Sequence, residues 1–190
     1  MRKPDSTAFS ISKKAGLTLK LKPETIMDMG SPSFVGKRQQ HLYNSIETKI
    51  DFTPTAANEK AGLAVFQSEP NFYFMAKSIN NGKEVIQLFK GKPKEKVMEM
   101  ITETPLQTTS SKLYLKINAE GDSYSFYYSA DGENWSLLKD KVDAKFVSTK
   151  TAGGFVGCIY GMYATSSGEQ SSNSASFKFL KYSGNDPMYR

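Results

Sequence analysis

Cysteine, histidine and tryptophan are almost missing from this chain, with one of each among 190 residues. A single thiol, Cys158, excludes an intrachain disulfide. A single histidine, His41, excludes zinc sites built from His and Cys clusters. Cys158 lies in the apolar run FVGCIYGMYA and reads as a small core residue; on compartment it says little. No apolar run reaches the roughly 18 residues of a membrane-spanning helix, so no membrane partner is expected. The opening MRKPDSTAFSIS lacks the apolar centre of a signal peptide. The chain is therefore expected to be either intracellular or a piece of a longer polypeptide, and its localisation stays open. No GxSxG surrounds any serine, and neither a phosphate loop nor a dinucleotide fingerprint occurs.

What is present is positive charge and alternation. The net charge is +6, but the lysines are spread along the whole chain. The densest cluster, KGKPKEKVMEM from Lys90, mixes in Glu and Pro and reads as a solvated loop. No recognition motif accompanies the charge, so no nucleic-acid partner is expected. A length of 190 residues fits one domain with a sizeable core.

Apolar residues recur with period two. Leu17–Leu21, Ala61–Phe66, Phe72–Ala76, Glu84–Phe89, Leu113–Ile117, Tyr124–Ser129, Trp135–Leu138, Phe155–Ala164 and Ser176–Tyr182 all read as strands. From His41 to Phe52, one face would carry Leu42, Asn44, Ile46, Thr48, Ile50 and Phe52. The turns are Ser68–Asn71, Asn80-Asn-Gly82, Glu120-Gly121 and Asp131-Gly132; the NNG turn predicts a hairpin. Lys94–Ile101 is the one helix-like window, and it is too short and polar to predict a helix. The Ser-rich stretch Thr165–Ser174 reads as a mobile surface loop. Without an internal linker, residues 1–190 are expected to form a single all-β domain, an antiparallel two-sheet sandwich.

Several residues invite a functional reading beside a structural one. GKRQQH, from Gly36, brings Arg38, Gln39 and Gln40 into a strand expected to face the core. They could bind a ligand, but a polar network tying strands together is the favoured reading. Of Phe72, Tyr73 and Phe74, at least one should be partly exposed, because successive side chains face opposite ways. In YSFYYSADGENW, Asp131 and Gly132 should make the turn, with Ser129 or Asp131 bonding its amides and Trp135 returning to the core. The spacing is one residue short of a sialidase Asp box. No cofactor is expected, and structural calcium at this turn is disfavoured because too few oxygen ligands cluster there. No metal ligands and no catalytic residues are assigned within the chain.

Taken in order, FVGKRQQH from Phe34, Ala61-Gly-Leu63 after FTP, YSFYYSADGENW, Gly153-Gly-Phe-Val-Gly157, Gly161-Met-Tyr and SASFKFLKY carry a resemblance. The chain resembles the C-terminal concanavalin A-like domain of glycoside hydrolase family 43 β-xylosidases and α-L-arabinofuranosidases. Pro4-Asp5 and FSISKKAGLTLKLK are similar to that domain's first segment, so the resemblance spans essentially the whole chain.

The resemblance implies a concanavalin A-like jelly-roll sandwich behind a five-bladed propeller that carries the catalytic carboxylates and inverts at a xylosyl or arabinosyl unit. The propeller of the same polypeptide is then the expected partner, and xylo- or arabino-oligosaccharides are candidate ligands. The family's first segment usually starts earlier with a Trp-containing stretch, so the chain is expected to be a module cut from a longer one. The resemblance also implies a role for Phe155 in the GGF element: reaching the rim of the propeller's substrate pocket, in trans to this domain. The alternative, that Phe155 begins a core strand, stays open. Val156 stands where Thr is commoner. Arg38, Gln39 and Gln40 match the family motif and are read as structural. The favoured function is thus an accessory domain that stabilises the propeller and shapes its pocket, with an autonomous module for xylan or arabinoxylan fragments as the alternative. A complete glucanase-like enzyme would need an ExDxxE-type acid set, which is absent.

Overall fold

The computed structural model describes residues 5–92, 94–95, 97–108, 110–154 and 157–186. Among these residues thirteen strands run in chain order: β1 (Phe9–Ser12), β2 (Gly16–Lys20), β3 (Ser33–Arg38), β4 (Tyr43–Asp51), β5 (Lys60–Ser68), β6 (Asn71–Asn80) and β7 (Lys83–Lys92). The remainder are β8 (Val97–Pro105), β9 (Lys112–Glu120), β10 (Ser123–Ser129), β11 (Ser136–Asp143), β12 (Ile159–Thr165) and β13 (Ser174–Gly184). They make a seven-stranded sheet, β1-β2-β13-β4-β9-β10-β11, and a six-stranded sheet, β3-β12-β5-β6-β7-β8. Every neighbouring pair is antiparallel, as the turn chemistry requires. At the NNG turn, Asn81 (φ 48°) and Gly82 (φ 73°) both take positive φ and close a two-residue hairpin between β6 and β7.

Alternation drives the sheets together. Ile46 and Ile50 of β4, Leu113, Leu115 and Ile117 of β9 and Phe126 of β10 project inward from the seven-stranded sheet. Leu63 and Val65 of β5, Tyr73 and Met75 of β6 and Ile86 and Leu88 of β7 meet them from the other side. Asn44, Ile46, Thr48, Ile50 and Phe52 are buried as expected, but Leu42 is 65% exposed because it precedes β4.

The six-stranded sheet is also covered on its outer face. Phe72, Phe74 and Ala76 of β6, Ala64 of β5, Phe89 of β7 and Tyr163 of β12 form a second cluster beneath Ile26, from the connection between β2 and β3. The Ile26 N–H donates to the Tyr163 hydroxyl at 3.1 Å, and the Phe74 and Tyr163 rings lie 4.6 Å apart. Phe72, Tyr73 and Phe74 are therefore all buried, contrary to the expectation that one would be exposed. A strand with both faces covered has no wet side.

Other expectations change too. The helix-like window Lys94–Ile101 runs into β8, and the lysine cluster expected as a loop belongs partly to β7 and β8. The apolar strand expected from Phe155 begins at Ile159. One single-turn helix, α1 (Thr149–Ala152), follows a 3-10 turn at Ala144–Val147 in the crossover between the two sheets. Trp135 is half-buried outside the core, with the Lys116 ammonium 3.7 Å from its ring centroid. The turn beside it is built as expected. Asp131 Oδ1 accepts from the Ser129 hydroxyl and from the N–H groups of Glu133 and Asn134, each at 2.8 Å. The Asn134 side-chain amide, donating to Oδ2 at 2.8 Å, joins these bonds in holding the Asp131 carboxyl below the usual carboxylate range.

The Ser-rich connection is pinned. Ser166 N–H donates to the Lys22 carbonyl at 2.9 Å, while Ser171 Oγ and Asn173 Nδ2 donate to the Glu59 carboxylate at 2.6 and 2.8 Å. Composition alone predicted mobility; the partners come from distant sequence.

Candidate functional site

The crossover from β11 to β12 passes between the sheets; its Ala144 N–H donates to the Asp122 carbonyl at 2.9 Å, and four side chains grip carbonyls along its course. Tyr73 OH donates to the Asp143 carbonyl at 2.9 Å, and Asn71 Nδ2 to that of Phe146 at 2.9 Å. Cys158 Sγ donates to the Val147 carbonyl at 2.9 Å, and Gln67 Nε2 to that of Gly153 at 2.7 Å. Val147, within the crossover, is fully buried in the core between the sheets. Three of these four side-chain donors lie on β5 and β6, so the six-stranded sheet supplies most of the side-chain anchors.

The crossover then turns on two glycines. Gly153 (φ 76°) and Gly154 (φ 72°) come directly after α1, both in a region that costs an L side chain energy. A Cβ at Gly153 would meet nothing within 4 Å, so backbone conformation and not space calls for glycine. Phe155, the residue implied for a pocket rim, lies outside the described residues, as does Val156.

A cleft of about 460 Å³ separates this crossover from the segment after β3. Its walls include Gln39, His41, Asp122, Tyr124, Ser148 and Cys158. Gln39 bridges the walls: its N–H donates to the Cys158 carbonyl at 2.9 Å, its Nε2 to the His41 carbonyl at 3.0 Å, and its Oε1 accepts from Tyr124 OH at 2.8 Å. The three motif residues thus have different settings. Gln39 is half-buried in the network. Arg38 is exposed, which corrects the expectation of a core-facing arginine: it stands at the end of edge strand β3, opposite Ile159. Gln40 is exposed too, and its Oε1 accepts from Lys37 Nζ at 3.3 Å.

His41, singled out only for its rarity, is the fastener that sequence reasoning missed. The Tyr182 oxygen accepts the N–H groups of Gln40 and His41 at 3.0 and 3.1 Å and lies 3.0 Å from His41 Nδ1. A phenol has one proton and two acceptor sites. With both acceptor sites taken by backbone N–H groups, the phenol ties residues 40 and 41 to β13. Asn44 extends the network, donating to the His41 carbonyl at 2.8 Å and accepting from Tyr160 OH at 2.8 Å.

These groups hold backbone in place and are poor reagents. Burial pushes the Tyr124 and Tyr160 phenols far up. It also raises the Cys158 thiol, which a bond from Tyr124 only partly offsets. A neutral, half-buried thiol is a weak nucleophile. Asp122 pairs with Lys145 at 3.2 Å, and Asp186 accepts the Tyr43 N–H at 2.7 Å. No group of three or more His, Cys, Asp or Glu able to hold a metal occurs among the described residues. No helix among them is long and apolar enough to cross a membrane.

Comparisons with known proteins agree with this geometry. Residues 1–183 match the beta xylosidase C-terminal concanavalin A-like domain. A non-reducing end alpha-L-arabinofuranosidase of Bacteroides ovatus is 30% identical over 184 residues, spanning 96% of this chain and 34% of that protein. A xylosidase/arabinosidase of Butyrivibrio fibrisolvens is 31% identical over 173 residues, spanning 90% of this chain and 32% of that protein. Among solved structures, a Bacteroides ovatus family 43 protein of a xyloglucan utilisation locus superposes with a TM-score of 0.88 at 30% identity, covering 97% of this chain and 36% of that one. A Bacillus licheniformis family 43 protein gives 0.85 at 25% identity, covering 95% and 35%. The chain spans about a third of the length of the relatives it matches. This two-sheet sandwich, matched nearly from end to end by about a third of each relative's length, belongs to the C-terminal concanavalin A-like domain family of glycoside hydrolase family 43 β-xylosidases and arabinofuranosidases.

Proposed function

We propose that this domain is the accessory part of a family 43 glycosidase, packing on a five-bladed catalytic propeller and helping to shape its substrate pocket. The parent polypeptide removes xylosyl or arabinofuranosyl units, and the propeller supplies the catalytic carboxylates. The observation that carries this reading is the crossover: a segment gripped by four side chains and turning through two positive-φ glycines is built to send the chain onward at a fixed angle. Phe155 is the next residue, so it would reach the pocket rim and exclude water there. The buried, hydrogen-bonded groups of the cleft support the same view, since they are engaged in architecture.

The test is turnover. The chain alone, assayed with aryl β-xylosides and aryl α-L-arabinofuranosides, is expected to give no hydrolysis above buffer. Joined to a family 43 propeller, it is expected to restore activity that the propeller lacks alone. Turnover by the isolated chain, abolished by changing one of its own carboxylates, would overturn the proposal. Saturable binding of xylan or arabinoxylan fragments by the isolated chain, measured calorimetrically, would favour an autonomous binding module instead.

A further inference from the structure

Gln67, near the end of β5, is only 6% exposed, yet half of its carboxamide is unsatisfied. Its Nε2 donates to the Gly153 carbonyl at 2.7 Å, while its buried Oε1 takes no hydrogen bond among the described residues. A buried acceptor without a donor opposes folding. A leucine of similar size would carry no such penalty, so packing does not account for a glutamine here. What the carboxamide adds is one bond, at the point where the crossover leaves α1 and enters its two positive-φ residues.

That point is where direction is decided. Upstream, the path is already fixed by Asn71, Tyr73 and Cys158 and by the burial of Val147. The Gly153 N–H closes α1 on the Thr149 carbonyl at 2.9 Å, and Gln67 grips the carbonyl of the same residue, the first of the positive-φ pair. Gly153 itself is exposed, and a Cβ built on it would meet nothing within 4 Å. Two consecutive glycines give the chain wide freedom, and the Gln67 bond removes it at the first of them. We infer that Gln67 is a positioning residue: it aims the glycine turn toward the partner domain at the expense of stability. This rests on the accessory reading above for its consequence, but not for its geometry.

The inference separates direction from stability, and Q67L tests both. In the isolated chain, Q67L is expected to leave the melting temperature unchanged or raise it, because the exposed Gly153 carbonyl finds water. Amide hydrogen exchange across residues 149–154 should meanwhile accelerate about tenfold, with the rest of the domain unaffected. Unchanged exchange in that segment would overturn the inference. So would acceleration spread over the whole domain together with a lowered melting temperature, which marks an ordinary structural residue. Should Q67L fold poorly, Q67M removes the same bond with a flexible side chain and the same expectations. In a polypeptide carrying a family 43 propeller, Q67L is expected to raise KM about threefold to tenfold with kcat little changed. Local exchange without that kinetic change would keep Gln67 as the positioning residue and remove the pocket-rim role of the turn.

Discussion

Glu59 shows how one residue organises a distant loop. It is 5% exposed, and its carboxylate accepts from Thr55 N–H at 2.8 Å, Thr55 Oγ1 at 3.0 Å, Ser171 Oγ at 2.6 Å and Asn173 Nδ2 at 2.8 Å. Burial alone would raise its pKa; the donors, Ser171 foremost, outweigh burial and hold it below the ordinary glutamate value. A depressed folded-state value means that the stabilisation is complete above the ordinary glutamate range and disappears as the pH falls through the lowered value. Glu59→Ala is expected to cost about 2 kcal/mol by stranding these donors. That corresponds to a melting temperature lower by roughly 4–8 °C at neutral pH. The deficit should shrink in acid, which a calorimetric series from neutral pH to below about pH 4 would reveal. None of this is legible in the sequence. The donors Ser171 and Asn173 stand more than a hundred positions away from Glu59.

At the scale of the strand, period two was readable wherever only one face is buried. β4 and β9 alternate as the sequence predicted, and the Asn81-Gly82 turn joins the strands it was expected to join. Legibility failed on β6, where Phe72, Tyr73 and Phe74 pack against two different clusters. Nothing local to β6 announces that the connection carrying Ile26 will lie across its outer face. Phe74→Ala is accordingly expected to cost about 3–5 kcal/mol, as much as an inter-sheet residue. Met75→Ala, facing the other way, is expected to cost about 2–5 kcal/mol. Chemical denaturation of both variants checks this, and an outer-face cost below about 1 kcal/mol would mean that the second cluster contributes little. Trp135 failed in the opposite sense. An aromatic after a turn normally returns to the core, but here Lys116 holds it on the outer face of the seven-stranded sheet. The candidate site was half-legible for a similar reason. The motif FVGKRQQH marked the right edge of the fold, yet Gln39 could be told from Arg38 only once Tyr124 and Cys158 were brought beside it.

For the whole molecule, the order β1-β2-β13-β4 in the seven-stranded sheet matters most. β13 pairs with β2 on one side and β4 on the other, so it alone joins the β1–β2 hairpin to the rest of that sheet. A chain ending before Ser174 is expected to lose its cooperative thermal transition, because two strands lose their neighbour and Phe177 leaves the core. Circular dichroism on such a truncation would check this; a sharp transition near that of the full chain would show the hairpin to be dispensable. The same arrangement dictates timing during synthesis. A ribosome delivers β13 last of the thirteen strands, so the early hairpin must wait, unpaired along one edge, for almost the entire domain to emerge. An unpaired edge is a template for another chain, so that interval is when this domain is most exposed to misassembly.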